Sequence, residues 1–199
     1  MDFIKIAKQV VNNEIEEMKN VEKSIDENFV KATTLITKCK GKILISGIGK
    51  SGLIGKKISA NFASVGKPSF FIHPVEALHG DMGNIEKNDI LIALSCSGNT
   101  KELQDIVLYC QKHKVKTIAI TCNNNSFLTK SCDISIVLSM KKEAIDGFPV
   151  PTSSSLMTLA ICDAITACIV KHSKLTREKY GEFHSGGSIG ASIRKKKQK

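Results

Sequence analysis

The N-terminal residues 2 to 39 carry apolar side chains at helical spacing among many charged ones. These apolar positions are Ile6, Val10, Ile15, Met18, Val21, Ile25 and Phe29. Such spacing is typical of amphipathic helices, and it predicts one long helix or a helical hairpin. We expect this segment, residues 1–39, to pack on the rest of the chain or on a partner subunit.

Five short apolar runs, rich in β-branched or aromatic residues, follow with helical patterns between most of them. The runs are Lys42–Ser46, Ser69–His73, Asp89–Ser95, Lys116–Thr121 and Ile134–Leu138. This alternation predicts an α/β domain over residues 40–193, in which helices cover a parallel sheet. Strands covered on both faces have continuous hydrophobic sequences, and ligands gather at their carboxyl ends.

No membrane segment is predicted. The apolar stretch Leu156–Val170 is interrupted by Asp163 and is shorter than the roughly 20 residues that cross a bilayer, so it predicts a buried helix. Residues 1–18 carry several charges where a secretion signal has an apolar run. We expect a cytoplasmic protein with no membrane partner.

The charge is strongly positive, with 29 basic and 19 acidic residues and a formal net charge of +10. Only Arg177 and Arg194 are arginine, and aromatic residues make up 5%. A nucleic-acid groove usually has more arginine and more stacking rings, so we expect no nucleic-acid partner. Part of the excess is a basic tail, residues 194–199. The positive charge on the rest of the chain suits a small phosphorylated substrate.

Seven cysteines are present without a C-x-x-C pair, and most lie in apolar runs. This usage predicts reduced, mostly packed thiols. The cysteines are Cys39, Cys96, Cys110, Cys122, Cys132, Cys162 and Cys168.

A first glycine loop, Gly47–Gly52, matches the pattern G-x-G-x-x-G. A dinucleotide site also has an acidic residue about 20 positions on, at the end of the second strand, but that strand ends in His73-Pro74. A P-loop needs glycine at the position of Leu44. The glycines still let the backbone approach an anion, and Lys50 adds positive charge. The alternative is a tight strand-to-helix turn.

Two hydroxyl-rich segments precede predicted helices, Ser95–Thr100 and Thr152–Ser155. Hydroxyls and free helix N–H groups together form phosphate sites, although each segment also fits an ordinary N-cap. Three donor-rich loops at one sheet edge favour the phosphate. The predicted substrate-binding residues in these loops are Gly49, Ser51, Ser95, Ser97, Thr100, Thr152 and Ser153.

Four segments resemble the sugar isomerase (SIS) domain and, within it, the arabinose 5-phosphate isomerases. They are GIGKSGLIGKKISANFASVGKPSFFIHPVEALHGDMG, SCSGNTKE, KEAIDGFPVPTSSS and FHSGGSIG, in the family's order over residues 41–193. The resemblance implies a three-layer sandwich with a five-stranded parallel sheet, and a homo-oligomer, usually a tetramer, with active sites between subunits. It also implies interconversion of D-ribulose 5-phosphate and D-arabinose 5-phosphate, the first step toward the 3-deoxy-octulosonate of lipopolysaccharide.

Two departures from the family pattern stand out. Many relatives carry a pair of cystathionine-β-synthase-type (CBS) domains after the catalytic domain, so we expect a short form without regulation through them. Relatives often have proline where Ser185 follows His184, while the HSGG core is retained.

Moving a carbonyl between two carbons requires a base and an electrophile. Glu102, in the first turn after the serine loop, matches a catalytic family position and is the expected proton-transfer base. Lys50 matches a second position and would stabilise an oxyanion or the phosphate. By resemblance, His184 assists ring opening or proton exchange in a site shared with another subunit, Glu143 is the remaining catalytic position, and His79 contacts substrate.

Each of these residues has a simpler interpretation. Lysine is common throughout this chain, His184 fits a surface loop, and Glu143 fits a plain surface carboxylate.

Acidic and histidine residues crowd the end of the second strand. They are His73, Glu76, His79 and Asp81. No zinc spacing accompanies them, and proton-transfer isomerisation needs no metal. We expect no required cofactor, with His73 the candidate for an adventitious or inhibitory zinc ion.

Other functions fit the same pattern. Phosphoheptose and hexulose-phosphate isomerases use similar folds with different sugars. A non-catalytic sugar-phosphate sensor is the alternative outside enzymes. Such regulators usually carry a helix-turn-helix, which residues 1–39 do not fit.

Overall fold

A computed structural model describes residues 1–187 and 190–193 of the chain. The predicted basic tail, residues 194–199, lies outside the described residues. The strands are β1 (Ile43–Gly47), β2 (Ser69–Phe71), β3 (Ile90–Leu94), β4 (Lys116–Thr121) and β5 (Ile134–Val137). The α-helices are α1 (Phe3–Met18), α2 (Glu27–Lys38), α3 (Gly49–Ser64), α4 (Pro74–Leu78), α5 (Lys101–Lys112), α6 (Phe127–Ser131), α7 (Ser153–His172) and α8 (Arg177–Phe183). Short 3₁₀ helices lie at Val21–Ser24 and Asp81–Asn84.

The five strands form one parallel sheet in the order β2-β1-β3-β4-β5. The predicted α/β fold with a five-stranded parallel sheet is therefore confirmed. The chain moves from β1 outward to β2 and then returns to the other side of β1 to form β3. Such a reversal opens a crevice at the carboxyl ends of the two strands beside it.

Apolar layers cover both faces of this sheet, as the continuous hydrophobic runs predicted. Every residue of β1 and β3 is buried. On one face, Ile45 and Ile92 pack with Phe62 of α3, while the other face buries Leu44 and Leu91 under α5. The alternation follows because successive strand residues point to opposite faces.

Helix α7 is the longest helix among the described residues. It has 20 residues, and an 18-residue part of it has a mean hydropathy of 1.7. By length and composition alone, the helix could cross a membrane. It packs on α1, α2 and α3, and Met157, Ile161 and Ile165 are fully buried in the core. We interpret α7 as a core helix. It extends beyond the predicted Leu156–Val170, and Leu156 itself is 37% exposed.

The N-terminal segment folds as two helices joined by the 3₁₀ turn. Aspartates cap the N-termini of both helices, because the Asp2 side chain accepts from the Lys5 amide at 3.0 Å and Asp26 accepts from the Asn28 and Phe29 amides. Such caps satisfy amides that have no partner within the helix. Helix α2 packs on β5 and α7, and α1 packs on α7.

Candidate functional site

A cavity of about 420 Å³ lies beside the carboxyl ends of β1 and β3. Its walls come from the start of α3, the serine loop Ser95–Thr100, the connection from β5 to α7, and the first turns of α7. The lining residues are Ile48, Lys50, Ser51, Ile54, Cys96, Ser97, Met140, Glu143, Pro149, Pro151, Ser154, Ser155 and Thr158.

The glycine loop places the N-terminus of α3 at this cavity. Gly49 has φ of +60°, a backbone conformation that glycine adopts without strain. Gly52 packs so closely on β1 that an added Cβ would lie 2.7 Å from the Gly47 carbonyl oxygen. No side chain among the described residues caps α3, so its positive end and the exposed Lys50 both favour an anion in the cavity.

The serine loop is organised by one buried hydroxyl. Ser95 Oγ accepts from the Gly98 amide at 3.1 Å and shares a hydrogen bond with Thr100 Oγ1 at 2.8 Å. These two residues therefore shape the loop. Ser97 is exposed and lines the cavity. Of the predicted binding hydroxyls in this loop, Ser97 is the one that faces the cavity.

Glu143 lies in the cavity wall with both carboxylate oxygens occupied. Oε2 accepts from the Thr152 amide at 2.8 Å, the Thr152 hydroxyl at 3.0 Å and the Ser154 amide at 3.2 Å, and Oε1 accepts from the Ser154 hydroxyl. Burial raises the pKa of Glu143, but these hydrogen bonds outweigh burial and hold the pKa below its ordinary value. The carboxylate is therefore ionised and caps the N-terminus of α7.

This capping determines where the hydroxyls of the segment Thr152–Ser155 point. The Thr152 hydroxyl bonds Glu143. Ser153 is fully buried, and its hydroxyl has no hydrogen-bond partner among the described residues. Neither residue lines the cavity, whereas the adjacent Ser154 and Ser155 do. The substrate contacts of Thr152 and Ser153 stay a prediction.

Helix α1 anchors the same cavity wall. Buried Glu17 accepts from the Lys141 and Lys142 amides at 3.0 and 3.3 Å. Asn13 Nδ2 donates to the Ala144 carbonyl at 2.9 Å. Sequence reasoning missed this role, because the partners of Glu17 are more than a hundred residues away along the chain.

Three other predicted residues lie outside the cavity lining. Glu102 is in the first turn of α5, two residues after Thr100, and is partly exposed. No hydrogen bond or ion pair joins its carboxylate to another described residue. His79 is exposed at the end of α4. The Nδ1 atom of His73, beside the start of α4, is buried without a partner among the described residues.

No metal centre is visible around His73. Among residues 1–187 and 190–193, no three His, Cys, Asp or Glu side chains are grouped to hold a metal ion. Zinc binding by His73 stays a prediction.

His184 lies far from the cavity of its own chain. It directly follows α8, where its Nδ1 is 2.8 Å from the Tyr180 carbonyl oxygen and its ring stacks on Tyr180 at 4.1 Å. The adjacent Phe183 packs on Gly66, just past the end of α3. Ile54 is the last residue of α3 that lines the cavity, and α3 ends at Ser64. Since an α-helix rises about 1.5 Å per residue, that end lies about 15 Å beyond the cavity lining.

Several lining residues were missed from sequence. The cysteine pattern indicates only a packed thiol at position 96, although Cys96 lies between Ser95 and Ser97 in the serine loop. Ser154 and Ser155 belong to the recognised hydroxyl cluster but were not selected. Met140 and Pro149 carry no chemical signal and appear only when the β5–α7 connection folds over the cavity.

Comparison with known proteins supports the same fold. The chain is 39% identical over 192 residues to an Escherichia coli arabinose 5-phosphate isomerase, covering 96% of this chain and 61% of that protein. It is 37% identical over 193 residues to a probable arabinose 5-phosphate isomerase of Haemophilus influenzae, covering 97% and 57%. The chain thus spans about three fifths of the length of these curated relatives.

A solved structure matches over its whole length. It is an E. coli CFT073 protein in complex with arabinose 5-phosphate, with a TM-score of 0.85 and 35% identity, covering 92% of this chain and 100% of that chain. The family model for the SIS domain matches residues 35–167. This match covers the last turn of α2, the whole sheet and most of α7, so the chain belongs to the SIS domain family.

Proposed function

We propose that the chain is a sugar-phosphate aldose–ketose isomerase that interconverts D-ribulose 5-phosphate and D-arabinose 5-phosphate. The observation that carries the proposal is the cavity in which the uncapped N-terminus of α3, Lys50 and Ser97 converge. These groups suit a phosphate or a developing oxyanion. The names of the E. coli and H. influenzae relatives, and the arabinose 5-phosphate bound in the solved structure, support this choice of sugar.

The reaction needs a base that takes a proton from C1 of the ketose and returns it to C2. Two carboxylates are available, Glu102 and Glu143. A base needs a free lone pair, and Glu143 already accepts four hydrogen bonds that lower its pKa. Glu102 has no such donors among the described residues. We therefore assign proton transfer to Glu102 and cavity shaping to Glu143.

The enediolate formed by proton removal carries negative charge on oxygen. Lys50 is the lysine among the lining residues of the cavity, and it lies at the positive end of α3. A fixed cation there stabilises charge that develops in the transition state. Ser51 and Ser97 supply hydroxyl donors to the same space. This mechanism uses no metal ion.

His184 enters this scheme from a second subunit. It lies beyond the far end of α3 from the cavity of its own chain, so it meets a substrate only if a neighbouring chain presents it. Exposed apolar side chains on α1 support association, among them Phe3 at 74% and Ile4 at 70% exposure. We propose a homo-oligomer, with a tetramer as the expected form, in the cytoplasm. The product would enter lipopolysaccharide synthesis.

The test is turnover of D-ribulose 5-phosphate by purified protein, followed in a coupled assay. Glu102→Gln should lose most turnover, because the amide cannot accept the carbon-bound proton. Asp105→Asn is the matched control, since Asp105 is an exposed carboxylate on the same helix, and it should retain activity. Equal activity of the two variants would contradict the assignment of the base.

A second pair of variants tests His184. His113 follows α5 and stacks on Tyr109 at 4.2 Å, as His184 follows α8 and stacks on Tyr180. His184→Ala should lose activity and His113→Ala should keep it. Mixing Glu102→Gln with His184→Ala chains should restore part of the activity, because some shared sites then hold both native residues. A phosphoheptose or hexulose-phosphate preference would instead show in substrate profiling.

A further inference from the structure

Two cysteine thiols meet at the cavity wall. Cys96 belongs to the serine loop and lines the cavity, and Cys122 directly follows β4. The backbone amide of Cys122 donates to the Cys96 carbonyl at 3.0 Å, so the two residues lie side by side. Both are reduced and partly exposed.

Further hydrogen bonds hold the two segments that carry these thiols next to each other. Thr121 Oγ1 donates to the Cys96 carbonyl at 3.0 Å, and Asn123 Nδ2 donates to the Ser97 carbonyl at 3.1 Å. Neighbouring parallel strands lie about 4.8 Å apart, and disulfides join Cα atoms about 4.4–6.8 Å apart. A bond between the two sulfurs therefore requires little movement of the two loops.

The two thiols differ in acidity. The adjacent Cys122 thiol, together with the Ser154 hydroxyl, lowers the pKa of Cys96 and outweighs burial and the nearby Glu143 charge, which raise it. The adjacent Cys96 thiol and burial raise the pKa of Cys122. Cys96 lines the cavity and Cys122 does not, so a small disulfide reaches Cys96 first. Since the thiolate is the nucleophile, Cys96 is the attacking sulfur and Cys122 the resolving one.

We propose that Cys96 and Cys122 are a reversible thiol–disulfide site that reacts with small-molecule disulfides entering the cavity. The Cys96 thiolate attacks one sulfur of the small disulfide, so a mixed disulfide forms and a small thiolate leaves. Cys122, after losing its proton, then attacks the Cys96 sulfur and releases the second small thiol. Two protein thiols are oxidised, and the small disulfide is reduced to two thiols.

A second neighbouring pair provides an internal comparison. Cys110 on α5 and Cys132 after α6 both pack in the core on the other face of the sheet. Burial raises the pKa of each to about 12. These thiols stay protonated and lie away from the cavity, so they should not react.

Tryptic peptides separate the relevant cysteines. Cleavage after lysine places Cys96 alone in residues 88–101 and Cys122 alone in residues 117–130. The full chain is incubated with oxidised glutathione, free thiols are blocked, and the digest is analysed by mass spectrometry. We expect a disulfide that links these two peptides and disappears on reduction.

Variants define the order of the steps. Cys122→Ser should stop the reaction at glutathione bound to Cys96, and Cys168→Ser, a control on α7, should give the wild-type link. Absence of the link in wild type would overturn the proposal, as would a link between Cys110 and Cys132 that forms equally fast. The readout needs no sugar, so it is independent of the proposed isomerase activity.

Discussion

Replacing Glu143 with glutamine separates two roles for this carboxylate, because a helix cap and a catalytic base respond differently. Glu143 accepts four hydrogen bonds at the start of α7. Hydrogen bonds to a charged group contribute about 1.5–3 kcal/mol each, against about 1 kcal/mol for neutral ones. Glutamine keeps one acceptor oxygen but loses the charge.

The expected loss of stability is modest because Glu143 remains partly exposed to solvent. The lost charge assistance and the lost helix-dipole interaction, about 0.3–1 kcal/mol, together suggest about 2 kcal/mol for this cap. For a chain of this size, that corresponds to a decrease in Tm of roughly 4–8 °C. Thermal unfolding followed by circular dichroism near neutral pH measures it.

The pH dependence provides a sharper check. The folded-state pKa of Glu143 is below its ordinary value, so its stabilisation is complete above the unfolded-state pKa and declines as pH falls through the folded-state pKa. The Tm difference between wild type and Glu143→Gln should therefore shrink below about pH 4.

Asp133 is the matched control for this prediction. Burial raises the pKa of Asp133, but hydrogen bonds from Lys116 and Thr117 outweigh it and lower the pKa. Asp133→Asn should cost similar stability at the opposite end of the sheet, without changing the cavity. Full stability of Glu143→Gln together with complete loss of turnover would refute the capping role and favour a base.

Three further predictions concern the frame of the site. Gly52→Ala should lower the free energy of unfolding by roughly 1–3 kcal/mol, measured by urea titration, because the new Cβ meets the Gly47 carbonyl; an unchanged midpoint would contradict this packing. Glu17→Ala leaves the Lys141 and Lys142 amides without their acceptor, which costs about 1–3 kcal/mol of stability for each amide. This variant should therefore be cleaved faster by trypsin after these lysines in limited proteolysis. Glu16→Ala, a control at an exposed position, should be cleaved at the wild-type rate. Treatment with a chelator should leave turnover unchanged, and abolished activity would show a metal requirement.

The sheet could be predicted from sequence because each strand has its own local signal. The run Lys116–Thr121 is apolar, β-branched and buried at five of six positions, and its predicted bounds match those of β4. The end of β2 was predicted at His73 but lies at Phe71. Proline at position 74 begins α4, so the chain turns before the apolar run ends.

The cavity was predictable only in part. The glycine and serine loops follow strands directly, so local sequence places them at one edge of the sheet. The partners of Glu143 and Glu17 depend on how the β5–α7 connection folds, which local sequence does not determine. The separation of His184 from the cavity depends on the path of α8 past the end of α3, again a matter of tertiary structure.

The proposed activity depends on a carboxylate that moves a proton between neighbouring carbons of a phosphorylated sugar held in this cavity. The direct measurement is NMR of D-ribulose 5-phosphate incubated with the protein in deuterated water. We expect D-arabinose 5-phosphate with deuterium at C2, formed at a rate that falls sharply in Glu102→Gln. A sugar phosphate that binds the protein but shows neither conversion nor exchange would contradict the isomerase mechanism and indicate a sensor.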